Sequence, residues 1–194
     1  MAAGGIYEPV CRRTEAPAHP NTADLIAAAK RLAAQGLTPS YGPGDHGNLS
    51  CRTAEDCLIT ARETRKASLR EGDLAHVGGC ERRGEGVRLF YEGSALPSTD
   101  AVMHWGIYAA RPDITAIVHG HDEQVLAKAE GLWAPITRVS AASNSLELVE
   151  EVLTLAALHD YLILRDHGFL ALGRSLQAAE ACYRQWSQRA RAVR

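Results

Sequence analysis

The chain has 194 residues, 21 Lys and Arg against 23 Asp and Glu for a formal net charge of −2, and 46% hydrophobic with 23% charged residues. That length fits one domain of about 100–200 residues with a core of its own. The near-neutral balance excludes the basic footprint of a nucleic-acid or anionic-membrane binder, and no apolar run reaches the roughly 18 residues of a transmembrane helix.

Residues 1–20 carry Glu8, Arg12, Arg13 and Pro17 where an export signal needs a basic start and then an apolar run, so none is expected. Without apolar periodicity they predict a flexible N-terminal arm, ordered at best, ahead of a single domain over 21–194. A first helix follows, capped by Asn21 or Thr22, with Leu25, Ile26, Ala29, Leu32 and Ala33 at helical spacing up to Gly36. Thr38 to Asn48 is turn chemistry, with three glycines and two prolines, but it lacks the spacing of a nucleotide loop. Strands are predicted at Leu49–Arg52, Cys57–Thr60, Leu74–Val77 and Val87–Tyr91, the last three as an antiparallel meander. Asp100 to Arg111 predicts a helix capped by Ser98 or Thr99, with Pro112 beyond it. A strand at Ile114–His119 comes next, then helices at Asp122–Glu130 and Leu146–Leu158, the latter capped by Asn144 or Ser145. A hairpin of Tyr161–Arg165 and Phe169–Leu172 bends at Asp166-His167-Gly168, and Ser175–Val193 closes the chain as a helix. The five cysteines, Cys11, Cys51, Cys57, Cys80 and Cys182, are odd in number and lack C-x-x-C spacing. They predict free thiols in a reducing compartment, the cytoplasm.

Eight histidines are present, and His119 and His121 in A-I-V-H-G-H-D carry the most information. Residues i and i+2 of a strand face the same side roughly 7 Å apart, so two imidazoles can converge on one ion; two exposed polar residues at a strand end are the alternative. His167, in L-I-L-R-D-H-G, again ends an apolar strand before a glycine. Three imidazoles from strand ends leave an ion with an open position, as in catalytic sites. Asp100, at a helix N-terminus that favours negative charge, is either a fourth ligand, a catalytic carboxylate or an ordinary helix-start acid.

With G-N-L-S at Gly47–Ser50, L-I-T at Leu58–Thr60, L-P-S-T-D at Leu96–Asp100, V-H-G-H at Val118–His121 and R-D-H-G at Arg165–Gly168 in order, the sequence resembles the class II aldolase/adducin family from about Asn21 to Val193. N-S-L-E-L at Asn144–Leu148 looks like the family's G-T-x-E-L helix start. The resemblance implies an α/β fold, a three-layer α/β/α sandwich around a mainly antiparallel sheet. It implies a homo-oligomer, with a tetramer favoured, acting on a small-molecule substrate without nucleic-acid or membrane partners. It further implies a divalent metal held by His119, His121 and His167, zinc first and Fe2+, Mn2+ or Co2+ as alternatives. Asp100 takes the place of the acid/base carboxylate, and Gly47, Asn48, Arg62, Ser98 and Thr99 contact substrate. The implied chemistry is lyase action of the aldolase type on a hydroxycarbonyl or sugar-derived compound through a metal-stabilised enediolate.

The chain departs from that pattern in three places. The family's aldolases carry Glu where Asp100 stands, and Asp looks more like the sugar-phosphate 4-epimerase branch. Thr60-Ala61-Arg62-Glu63 replaces the phosphate loop T-P-[TS]-G, so a carboxylate occupies the phosphate position unless Arg62, Arg65 or Lys66 turns inward to form a cationic fork. The tyrosine that serves the aldehyde half has no counterpart after Tyr183, and His46 and Asp122 are candidates to replace it. Epimerase, dehydratase, decarboxylase and Fe(II) oxygenase activities use the same scaffold. A non-catalytic adducin-like binding module is the rival from another class, disfavoured because all three histidines are present.

Overall fold

A computed structural model describes residues 7–16, 18–53, 55–84, 86–140 and 145–193. Ten strands and five α-helices are formed among them: β1 Tyr7–Arg13, α1 Thr22–Ala34, β2 Ser40–Tyr41, β3 Gly44–Asp45, β4 Asn48–Arg52, β5 Cys57–Thr60, β6 Leu74–Arg83, β7 Gly86–Glu92, α2 Ala101–Ala110, β8 Ala116–Gly120, α3 Glu123–Ala127, α4 Leu146–Ala156, β9 Tyr161–Leu164, β10 Gly168–Gly173 and α5 Leu176–Ala192.

Eight strands form one sheet in the order β1-β7-β6-β5-β4-β8-β10-β9, and β2 and β3 make a separate two-stranded ribbon in the turn-rich segment. Every ladder of the large sheet is antiparallel except β1 with β7, so the sheet is mixed but mainly antiparallel. Alternation along the strands divides the apolar residues into two clusters. Leu49, Leu58, Val118, Ile163 and Phe169 join side chains of α1, α3 and α5 in one; Ile59, Ile117, Leu162 and Leu170 join α2 and α4 in the other.

Three expectations are corrected. The arm over 1–20 is a strand at Tyr7–Arg13, bound at the sheet edge through Glu8–Arg88 and Arg13–Glu92 ion pairs, while its first residues lie outside the described ones. The third strand runs past Val77 to Arg83, because its ladder with β7 continues through charged cross-strand pairs such as Glu81 with Arg88 after a register shift at Val77/Gly79. Helix α2 is capped by neither Ser98 nor Thr99: Asp100 is its N-cap residue, and Ser98 Oγ, two residues earlier, accepts the Asp100 N–H at 3.3 Å. Ser145 caps α4 by accepting from the Leu148 N–H at 3.1 Å; the other candidate cap, Asn144, lies outside the described residues.

Candidate metal centre

The site lies where β4, β8 and β10 end beside the N-terminus of α2. His119 of β8 pairs with Asn48 of β4 and Leu170 of β10, and its parity with Ile117 puts it on the α2 side of the sheet. His121 follows just past the strand, its N–H donating to the Leu37 carbonyl at 2.8 Å. His167 sits in the bend between β9 and β10, where its N–H donates to the Leu164 carbonyl at 3.0 Å and Asp166 adopts φ +59°. Two glycines permit this crowding. A Cβ on Gly168 would lie 2.5 Å from the Gly120 oxygen and 3.0 Å from His119 Cε1; one on Gly47, at φ +77°, would lie 2.7 Å from the His119 oxygen.

Each of the three histidines offers a nitrogen within 4.8 Å of the other two, and their ring centres are 4.7–5.2 Å apart. His119 Nδ1 is 2.8 Å from the Phe169 carbonyl oxygen, which can only accept, so Nδ1 carries the hydrogen and Nε2 is left with its lone pair. His121 Nε2 is buried with no hydrogen-bond partner. Burial first, then the neighbouring imidazoles, pushes His119 down to about 3 and His121 down to about 2; burial also lowers His167. The rings are therefore neutral at pH 7, the form that ligates metal. An orphaned buried nitrogen among converging neutral imidazoles fits a divalent cation. Asp100 is outside that set of three: its Oδ2 is 3.8 Å from His119 Nε2.

The histidines open onto a cleft of about 260 Å³, and Asp100, Gly47, Asn48, Arg62, Ser98 and Thr99 all line it. Asn48 points differently from the expected substrate contact. Its amide Nδ2 donates to Asp100 Oδ2 at 2.6 Å and to Ser98 Oγ at 3.1 Å, because the carboxylate can only accept, and its Oδ1 is left buried and unpartnered. Ser98 Oγ accepts from Asn48 and from the Asp100 N–H, so its own hydroxyl hydrogen remains available. His46, Glu63 and Lys66, raised from the sequence as possible site groups, also border the cleft, as do Tyr41 and Asp45, which were not. His46 lies between Tyr41 and His121, with ring centres 4.6 Å and 4.9 Å away. Glu63 occupies the left-handed region at φ +58°, and burial pulls the Lys66 ammonium down to about 8.

The family described as "Class II Aldolase and Adducin N-terminal domain" matches residues 23–192. The chain belongs to that family. It is 31% identical over 173 residues to a 5-methylthioribulose-1-phosphate/5-deoxyribulose-1-phosphate aldolase of Rhodospirillum rubrum, covering 80% of this chain and 72% of that protein. To a methylthioribulose-1-phosphate dehydratase of Methylococcus capsulatus it is 24% identical over 185 residues, covering 81% and 84%. In fold it is similar to the l-fuculose-1-phosphate aldolase of Thermus thermophilus, with a TM-score of 0.70 at 24% identity over 89% of this chain and 91% of that one. Those curated relatives are named as an aldolase and a dehydratase, and this chain is an enzyme of the class II aldolase family.

In this aldolase-family chain a polar seam holds α2 against the sheet behind the cleft. Alternate residues of β4 meet successive turns of α2: Asn48 meets Asp100, and Ser50 Oγ lies 2.7 Å from both His104 Nδ1 and the Tyr108 hydroxyl. Arg52 then donates to the Tyr108 and Pro112 carbonyls at 2.6 and 2.8 Å. Burial drives His104 down to about 3, so this ring is neutral too. The sequence gives no sign of the seam, since its two halves lie some fifty residues apart. Asp122 has a structural role: Oδ1 accepts the Gln124 and Val125 N–H groups as the cap of α3, and Oδ2 accepts the Tyr183 and Ser187 hydroxyls.

Proposed function

We propose that this chain is a metal-dependent lyase of the aldolase type, acting on a small hydroxycarbonyl or sugar-derived compound, with Asp100 as its proton-transfer group. The observation that carries the reading is the set of three imidazoles within 4.8 Å of one another on a cleft that Asp100 also lines. A divalent ion bound there, zinc first and Fe2+, Mn2+ or Co2+ as alternatives, would supply Lewis-acid polarisation of the carbonyl and adjacent hydroxyl oxygens of the substrate. His119, His121 and His167 would hold the ion, and three protein ligands would leave room for substrate oxygens. Asn48 fixes Asp100 through Oδ2, leaving Oδ1 to take and return the proton on the carbon beside the carbonyl. The Ser98 and Thr99 hydroxyls, the Gly47 backbone and Arg62 orient the polar end of the substrate. Dehydration of the same kind of compound is the second reading, favoured by the dehydratase relative that aligns over 81% of the chain.

The proposal extends to a three-layer α/β/α sandwich, supported by the two apolar clusters on alternate strand residues. It extends also to a cytoplasmic homo-oligomer, a tetramer, supported by Trp133 and Leu158 at 92% and 80% exposure, apolar groups for a neighbouring subunit to cover. Light scattering on the purified protein is expected to return the tetramer mass; a monomer contradicts the assembly. The activity is tested by incubating metal-replete protein in deuterium oxide with dihydroxyacetone or its phosphate and following the α-protons by NMR. Stereospecific loss of one α-proton is expected, and no exchange with any small hydroxyketone contradicts the reading.

A further inference from the structure

Cleavage beside a hydroxyl-bearing carbon has two protons to handle, one on carbon and one on the oxygen of the departing aldehyde, and Asp100 is placed for the first. Most other polar side chains of the cleft are engaged. Asp45 accepts from Ser40, Arg65 and the Lys66 N–H, Lys66 donates to three oxygens of Thr64 and Asp45, and Asn48 donates to Asp100 and Ser98. Asp122 is spent on the α3 cap and on Tyr183 and Ser187. His46 stands free of such contacts. Its backbone is pinned: its N–H donates to the Pro39 carbonyl at 2.9 Å, the Asp45 N–H donates to the Thr64 carbonyl at 3.1 Å, and Gly47 turns the chain at φ +77°. His46 itself is exposed on the cleft, and its side chain makes only ring contacts among the described residues, with centres 4.6 Å from Tyr41 and 4.9 Å from His121. The two candidate proton carriers meet the imidazole cluster at different members. Asp100 Oδ2 is 3.8 Å from His119 Nε2, whereas His46 packs on His121.

We propose that His46 is a second catalytic residue, the group that takes and returns the proton on the oxygen of the departing aldehyde. The inference rests on the lyase reading and adds the residue that serves the other half of the substrate. In cleavage the hydroxyl proton passes to a ring nitrogen of His46, and the O–H electron pair becomes the second bond of the new carbonyl. The carbon–carbon bond breaks with its pair moving to the carbon beside the ketone, where Asp100 delivers a proton. His46 then gives its acquired proton to water and Asp100 regains one, so none is gained or lost overall. In the joining direction the same ring donates to the aldehyde oxygen. Tyr41, packed against the imidazole at a 40° tilt, limits its rotation.

Two partial reactions separate the residues. Exchange of the α-proton of dihydroxyacetone or its phosphate in deuterium oxide needs no aldehyde, whereas joining that ketone to glycolaldehyde or acetaldehyde requires a proton on the aldehyde oxygen. In metal-replete protein, His46→Gln and His46→Phe are expected to slow joining about 100-fold or more while exchange changes less than about threefold, and Asp100→Asn slows both. His46→Phe keeps an aromatic ring between Tyr41 and His121, so joining restored in that variant assigns the ring to packing alone and overturns the proposal. Metal content by plasma mass spectrometry is expected to stay at the wild-type level in both His46 variants; loss of the metal makes His46 a ligand and likewise overturns it. Equal loss of exchange and joining, unimpaired joining in both variants, or a loss confined to Glu63→Gln contradicts the assignment, as does a wild type that exchanges the proton but joins neither aldehyde. No exchange by the wild type defeats the lyase reading itself; exchange together with any of the other contrary outcomes defeats only the role of His46.

Discussion

Asp100 and His167 border one cleft but do different work, and substitution separates them. Asp100→Asn keeps the three imidazoles and is expected to retain full metal content by plasma mass spectrometry, while α-proton exchange falls by a factor of about 100–10,000. His167→Ala removes a ligand and is expected to lose the metal itself; full occupancy in that variant assigns the third ligand elsewhere. Behind the cleft, Ser50→Ala leaves the buried His104 ring and the Tyr108 hydroxyl without their shared partner, at a cost of about 1–3 kcal/mol in denaturant unfolding. A cost near zero contradicts the seam. Legibility at this scale follows chain distance. His119 and His121 are readable because strand alternation links i to i+2, and His167 because a histidine before a glycine ends an apolar run. Lys66 is readable only as one of three cations, with Arg62 and Arg65, that could turn inward; its burial is not, because T-R-K-A-S-L-R-E has the composition of a solvated turn. Its burial comes from Asp45 and Thr64 closing around it. The direction of the Asn48 amide depends in the same way on Asp100, fifty-two residues on.

Strand ends set the metal geometry, so the glycines there couple fold to ligation. Gly168→Ala places a methyl group against the Gly120 carbonyl, a backbone atom, and the His119 ring, which its Nδ1 bond to the Phe169 carbonyl holds in place. The expected result is a loss of about 1–3 kcal/mol in stability together with weaker metal binding in a chelator competition. A variant unchanged in both measurements contradicts the close approach. The central strands were legible as apolar runs: β5 lies at Cys57–Thr60 as read, and β9 and β10 flank the bend at His167. The edge was not. β1 and the far half of β6 are exposed, charged and without alternation, and they are strands because β7 offers them hydrogen-bonding edges, which is a tertiary cause that local pattern does not carry.

Across the whole molecule, several histidines are neutral inside the fold. Burial lowers His104 and His119 to about 3 and His121 to about 2, whereas an unfolded histidine titrates near 6.5. Below about pH 6.5 the unfolded chain therefore binds more protons than the native one, so stability is full above that pH and is lost as pH falls towards about 3. Melting temperatures of chelator-treated protein are expected to decline steadily from pH 7 to pH 5, and a flat profile contradicts neutral burial. The antiparallel meander and the closing hairpin were legible from short apolar runs and short loops, the mainly antiparallel order of the whole sheet came from the family resemblance, and the parallel edge ladder was not legible. The measurement that bears most directly on the metal centre is X-ray absorption at the metal edge, combined with metal quantification of the purified protein. One equivalent per chain is expected, bound by three imidazole nitrogens at about 2.0–2.1 Å with the remaining coordination from exchangeable oxygen. A substoichiometric metal, or a closed shell of four protein ligands, contradicts an open catalytic site at His119, His121 and His167.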